Sequence, residues 1–126
     1  MENKKVCIVD DSQVIRDRLT ARLETLEGIG SIKQAADVSS AYTVLRTEIP
    51  DIVILDIQLP DGSGIDVLSK IKKENSHIIV IMLTNYPYSI IRRRCFELGA
   101  DYFFDKSTEF DQVLKVFETL KQETIN

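Results

Sequence analysis

Ile52-Val53-Ile54-Leu55, followed at once by Asp56, is a short, unbroken apolar run that ends on a carboxylate. A run without polar alternation suits a central strand covered by helices on both faces. Two other stretches have the same character: Val6-Cys7-Ile8-Val9, ending at Asp10-Asp11, and Ile78 to Leu83, ending at Thr84. Gly30 to Ala36 is more polar and Asp101 to Phe104 is short, so both suit sheet edges. Between these runs apolar residues recur at helical spacing: Ile15, Leu19, Leu23 and Leu26; Ile91, Cys95 and Leu98; Phe110, Val113, Leu114 and Phe117. Weaker helical patterns run from Ala41 to Leu45 and from Val67 to Ile71. The alternation predicts an α/β fold, a three-layer α/β/α sandwich with five helices and a five-stranded parallel sheet in the order 2-1-3-4-5.

Local signals place the element ends. Gly28 and Gly99 read as helix stops, Thr108 as a cap for the last helix with Asp111 three residues on, and Pro87 as a first-turn residue of the fourth helix. With 126 residues the chain fits one domain spanning 1–126, with no room for an output domain after the fifth helix. Its net charge of −4 disfavours a purely electrostatic grip on nucleic acid. No apolar run approaches the ~20 residues needed to span a bilayer, and no apolar signal region follows Met1 to Lys5, so a cytoplasmic location is expected. Cys7 and Cys95 lie far apart inside apolar patterns and read as buried free thiols, while His77 stands alone and is assigned to the surface.

In an open α/β sheet, ligands bind where the strands end. Here strand one ends in Asp10 and Asp11, strand three in Asp56 and strand four in Thr84, and strand five runs through Phe103 into Lys106. Each residue alone has an ordinary explanation, since an aspartate after a strand is commonly a turn former or helix cap and an isolated lysine is commonly solvated. Together they make a site. Three crowded carboxylates repel one another unless a hard divalent cation neutralises them, and Mg²⁺ is the natural candidate because it takes oxygen ligands and is often shared with phosphate. Lys106 and Thr84 complement charge on a phosphoryl group, and Asp56 can accept one as an acyl phosphate.

The stretches Val9-Asp10-Asp11-Ser12, Leu55-Asp56-Ile57-Gln58-Leu59-Pro60-Asp61-Gly62-Ser63-Gly64, Met82-Leu83-Thr84 and Gly99-Ala100-Asp101-Tyr102-Phe103-Phe104-Asp105-Lys106 resemble, in order and over essentially the whole chain, the response-regulator receiver domains of two-component signalling. The resemblance implies a flavodoxin-like fold and a stand-alone switch that takes phosphate onto Asp56 from a phosphohistidine. The donor would be a sensor histidine kinase or a histidine phosphotransfer protein, and the signal would pass to another protein. It further implies Mg²⁺ bound by Asp11, Asp56 and the Gln58 backbone carbonyl, with Asp10 acting mainly through water. Lys106 becomes the phosphate contact, and Thr84 and Phe103 become paired switch residues, Phe103 turning inward as the face of the fourth helix, fifth strand and fifth helix repacks. Such a protein catalyses its own phosphorylation and slow dephosphorylation and is no enzyme in the turnover sense.

The chain departs from that pattern in places. Ser107 stands where the family usually has a cis proline, leaving a strained cis bond or a trans path as alternatives. Phe103 lacks the hydroxyl of the more usual tyrosine. Gln58, Asn85 and Tyr86 flank the site without an evident base to orient water, which predicts slow self-dephosphorylation. Arg92-Arg93-Arg94 is the one dense basic run, a solvated face or a docking surface for a partner, and too short to argue for DNA binding. A haloacid dehalogenase type phosphohydrolase is the enzyme alternative, although those enzymes need a second aspartate where Gln58 stands. A receiver-like adaptor independent of phosphorylation is another, disfavoured because all five polar site residues are present. Gly62-Ser63-Gly64 is neither a P-loop nor a dinucleotide fingerprint.

Overall fold

A computed structural model of the chain describes residues 3–125. The elements in chain order are β1 (Lys4–Val9), α1 (Gln13–Leu23), β2 (Ile29–Ala35), α2 (Val38–Thr47), β3 (Ile52–Leu55), β4 (Gln58–Leu59), β5 (Gly62–Ser63), α3 (Gly64–Glu74), β6 (Ile79–Thr84), α4 (Ser89–Glu97), β7 (Tyr102–Asp105) and α5 (Gln112–Ile125). The main sheet runs β2-β1-β3-β6-β7, all neighbours parallel, which is the expected 2-1-3-4-5 order of its five strands. The three apolar runs are the three inner strands. Alternate residues of each run face opposite sides, so one core gathers Cys7, Val9, Val53, Leu55, Val80 and Met82 under α2, α3 and α4. The other gathers Val6, Ile8, Ile52, Ile54, Ile81 and Leu83 under α1 and α5. Val6–Val9 and Ile52–Leu55 are buried at every position and Ile79–Thr84 at all but Ile79, which is why the runs show no polar alternation.

Both cysteines are free and buried, and burial pushes the Cys7 thiol up to about 12. His77 is exposed. Gly99 does end α4: it follows the C-cap Leu98 with φ of +105°, a backbone conformation glycine adopts without penalty. Three local expectations fail. Helix α1 stops at Leu23, so Leu26 packs on the core from a turn, and Gly28 ends that turn, its carbonyl accepting from Lys4 N–H at 2.7 Å. Thr108 does not cap α5, which begins four residues later at Gln112, because Thr108 hydrogen-bonds back to Asp105. Pro87 sits just outside α4, before its N-cap Tyr88.

The β4–β5 hairpin is an element that the apolar pattern does not announce, although Pro60-Asp61-Gly62 carries turn chemistry. It links the site to the scaffold. The Asp61 carboxylate accepts from Val38 N–H at 2.7 Å and Ser39 N–H at 3.0 Å, tying the hairpin to the start of α2. Just beyond it, Gly64 N–H donates to the Ile57 carbonyl at 2.6 Å, and a Cβ on Gly64 would overlap the Asp56 carbonyl oxygen. Helix α3 can start where it does only because residue 64 lacks a side chain. Gly64→Ala is therefore expected to lower stability by about 1–3 kcal/mol through overpacking, read as a lower urea midpoint with an unchanged slope. A midpoint equal to that of the native chain would show that the loop after Asp56 is not tightly packed.

Candidate functional site

Parallel register brings the ends of all five sheet strands to one rim. Val9 lies opposite both Ala35 and Leu55, Leu55 opposite Met82, and Thr84 opposite Asp105. The backbone continues the pairing one residue further: Asp10 N–H donates to Ala35 O at 3.0 Å, Asp56 N–H to Val9 O at 2.9 Å, and Lys106 N–H to Thr84 O at 2.8 Å. Asp10 and Asp56 are thus side by side on adjacent strands.

Three of these ends turn in the same way, a side-chain oxygen accepting the N–H two residues on. Asp10 Oδ1 accepts from Ser12 N–H at 2.9 Å, Thr84 Oγ1 from Tyr86 N–H at 2.9 Å, and Asp105 Oδ1 from Ser107 N–H at 2.9 Å. Aspartate makes such turns readily and threonine more weakly. The residue in the middle of each turn is Asp11, Asn85 or Lys106, and all three line the same cleft of about 390 Å³, together with Asp56, Gln58 and Tyr86. Ser12 also caps α1, its hydroxyl accepting from Ile15 N–H.

Charge is concentrated here. Lys106 Nζ lies 2.7 Å from Asp10 Oδ2 and 3.0 Å from Asp56 Oδ2, and all three side chains are nearly inaccessible, at 8%, 3% and 7% exposure. The second oxygen of Asp56 accepts from Ile57 N–H at 2.8 Å. Burial raises the Asp56 pKa, and the nearby Lys106 ammonium works against it while Asp10 adds to it. Burial pulls the Lys106 pKa down, but the Asp10 hydrogen bond and the two carboxylate charges win and raise it. Ligand atoms of Asp10, Asp11 and Asp56 all lie within 4.8 Å of one another, three hard oxygen donors of which two, Asp10 and Asp56, are paired with the Lys106 ammonium. That donor set suits a divalent cation of the Mg²⁺ kind and not a soft metal, because it offers neither sulfur nor imidazole.

The other expected residues are placed as follows. Asp11 and Gln58 are exposed at the cleft. Thr84 is fully buried behind the cleft with its oxygen held by Tyr86. Phe103 is already inward, at 4% exposure, its ring 6.5 Å from Phe96 and 5.7 Å from the Arg92 guanidinium, so its expected turn from solvent does not describe this conformation. The Lys106-Ser107 bond is trans, as no cis peptide occurs among the described residues. Sequence reasoning assigned no role to Arg16, whose guanidinium donates to the Asp10 carbonyl at 2.7 Å, or to Asp105 and Ser107. For the last two, the Asx-turn pattern of an aspartate two residues before a serine was the available signal.

Residues 6–118 match the family model described as response regulator receiver domain. Sporulation initiation phosphotransferase F of Bacillus subtilis is 34% identical over 113 residues, covering 90% of each chain. The probable transcriptional regulatory protein TcrX of Mycobacterium tuberculosis is 34% identical over 119 residues, which are 94% of this chain and 50% of that protein. The chain spans about half or less of the first curated relatives it matches. Among solved structures, a response regulator receiver domain protein (CheY-like) from Methanospirillum hungatei superposes with a TM-score of 0.84 at 29% identity, covering 99% of this chain and all of the other. A strand order, a rim of carboxylates with one buried lysine, and a family match over nearly the full length agree: the chain belongs to the response regulator receiver domain family.

Proposed function

We propose that this receiver domain is a phosphorylation-dependent switch whose phosphoacceptor is Asp56. The observation that carries this reading is the arrangement of Asp56 itself, a buried carboxylate at the floor of an open polar cleft, with one oxygen held by Ile57 N–H and the other by the Lys106 ammonium. Burial with few compensating donors keeps a carboxylate nucleophilic, and the cleft gives a donor access to it.

In the proposed transfer, an Asp56 carboxylate oxygen bonds to the phosphorus of a phosphohistidine as the phosphorus–nitrogen bond breaks. The bonding pair stays on the imidazole nitrogen, which regains its proton from solvent. Lys106, released from part of its pairing with Asp56, contacts the phosphoryl oxygens and stabilises the charge they carry. Asp11, Asp56, the Gln58 carbonyl and, through water, Asp10 would hold Mg²⁺, which supplies neutralisation of the crowded negative charge. The donor is a sensor histidine kinase or a histidine phosphotransfer protein, as suits a chain so similar to a named phosphotransferase. Transfer and hydrolysis both occur on the chain's own aspartate, so it is a phosphoacceptor and not a turnover enzyme.

The response passes through Thr84 and Phe103. Thr84 Oγ1 accepts from Tyr86 N–H and keeps its own proton available to donate. A move of Thr84 toward phosphate pulls on the β6–α4 loop and opens space next to Phe103, whose ring already packs against Phe96 and Arg92, so that this cluster shifts with it. The readout surface is the face of α4, β7 and α5, recognised by a partner protein in the cytoplasm.

Intact-mass measurement after treatment with Mg²⁺ and acetyl phosphate should show one phosphate-sized gain, absent from Asp56→Asn; a gain that survives in that variant removes Asp56 as acceptor. The phosphorylated chain should persist for minutes or longer. Gln58, Asn85 and Tyr86 crowd the cleft without offering a base to orient water, and a half-life of seconds would contradict this.

A further inference from the structure

The Lys106 ammonium reaches two buried carboxylates at once, so its Cα must be held within narrow limits. A displacement on the order of 1 Å would open one or both contacts, a scale at which misplaced reactive groups lose function. In this chain no proline holds the turn, and the bond after Lys106 is trans. Something else must fix the loop.

The contacts around Lys106 identify it. Before the lysine, Asp105 N–H donates to Glu109 Oε1 at 3.1 Å, and Lys106 N–H itself donates to Thr84 O at 2.8 Å. After it, Ser107 donates twice to one oxygen, Asp105 Oδ1, from its N–H at 2.9 Å and from its O–H at 2.7 Å. These bonds close a three-residue turn around Lys106. We propose that the Asp105 carboxylate, gripped by the N–H and O–H of Ser107, is the positioning group that keeps the Lys106 ammonium between Asp10 and Asp56. Hydrogen bonds from the Ser107 side chain and backbone, with smaller help from Thr108, hold the Asp105 carboxyl below its ordinary range, in keeping with an ionised acceptor. Of the three turns at the rim, this is the one closed by two donors to a single oxygen, and its middle residue is the cation that the buried carboxylates face.

The role of Lys106 in phosphoryl transfer rests on the proposed function, but its placement by Asp105 does not, so the test reads placement first. Trace acetylation with acetic anhydride, mapped by peptide mass spectrometry, reports how far each lysine amine is shielded. Asp105→Ala should raise labelling of Lys106 about tenfold, the scale of a lost charge-assisted hydrogen bond, while Asp105→Asn, which keeps an acceptor oxygen, stays near the native value. Ser107→Ala keeps the N–H bond and should give a smaller rise, which also covers the case in which Asp105→Ala fails to fold. Lys72, ion-paired to Asp101 and 13% exposed, is the internal control and should not change. Unchanged labelling of Lys106 in Asp105→Ala, or an equal rise at Lys72, overturns the proposal. Phosphoryl uptake from acetyl phosphate by the same proteins separates the two ideas: uptake should slow about tenfold in Asp105→Ala. Absence of uptake in the native chain, with Lys106 labelling shifted as expected, would remove the phosphoacceptor reading and leave the positioning role standing.

Discussion

The ion pairs of one lysine with two buried aspartates are the constraint around which this molecule is organised. Isolated buried charge is prohibitively costly, and pairing offsets that cost only when geometry is good and the remaining polar atoms are satisfied. Both conditions hold at Lys106. Its contacts to Asp10 and Asp56 are 2.7 and 3.0 Å, and the other oxygens of those carboxylates accept from Ser12 and Ile57 N–H groups. Among the described residues no buried side-chain polar atom lacks a partner. Asp11 stands outside this balance, exposed at the cleft and within 4.8 Å of the other two carboxylates.

The scaffold delivers this arrangement by simple means. Parallel pairing aligns the strand ends, and three short polar turns then aim their middle residues into one cleft. Gly64 lets the chain fold back against the Asp56 carbonyl, so the acceptor loop is pinned between the sheet and α3. Two hydrophobic cores, one on either face of the sheet, pack beneath the rim.

The three inner strands were legible because a strand covered on both faces must be apolar along its length, and Val6–Val9, Ile52–Leu55 and Ile79–Leu83 obey that rule. The clustering of Asp10, Asp11 and Asp56 followed from where two of those strands end, and that of Lys106 from the end of the edge strand β7. What stayed hidden depends on side-chain hydrogen bonds with no periodic signature. The β4–β5 hairpin is two residues per strand, too short to show alternation, and the late start of α5 reflects competition by Asp105 for Thr108. The inward Phe103 ring is a packing outcome among Phe96, Arg92 and β7, and its rotamer cannot be read from residue type.

At the centre of this account is a carboxylate cluster completed by a divalent cation, and thermal melting with and without Mg²⁺ tests it most directly. A ligand at about 100 times its dissociation constant stabilises a folded chain by about 2.7 kcal/mol, which for a domain of this size is a rise of several degrees. The account predicts that rise in the native chain and its loss in Asp11→Asn, which removes one charge from an exposed position without disturbing the Lys106 pairs. An unchanged melting temperature in Mg²⁺, or the same rise in Asp11→Asn, would contradict it.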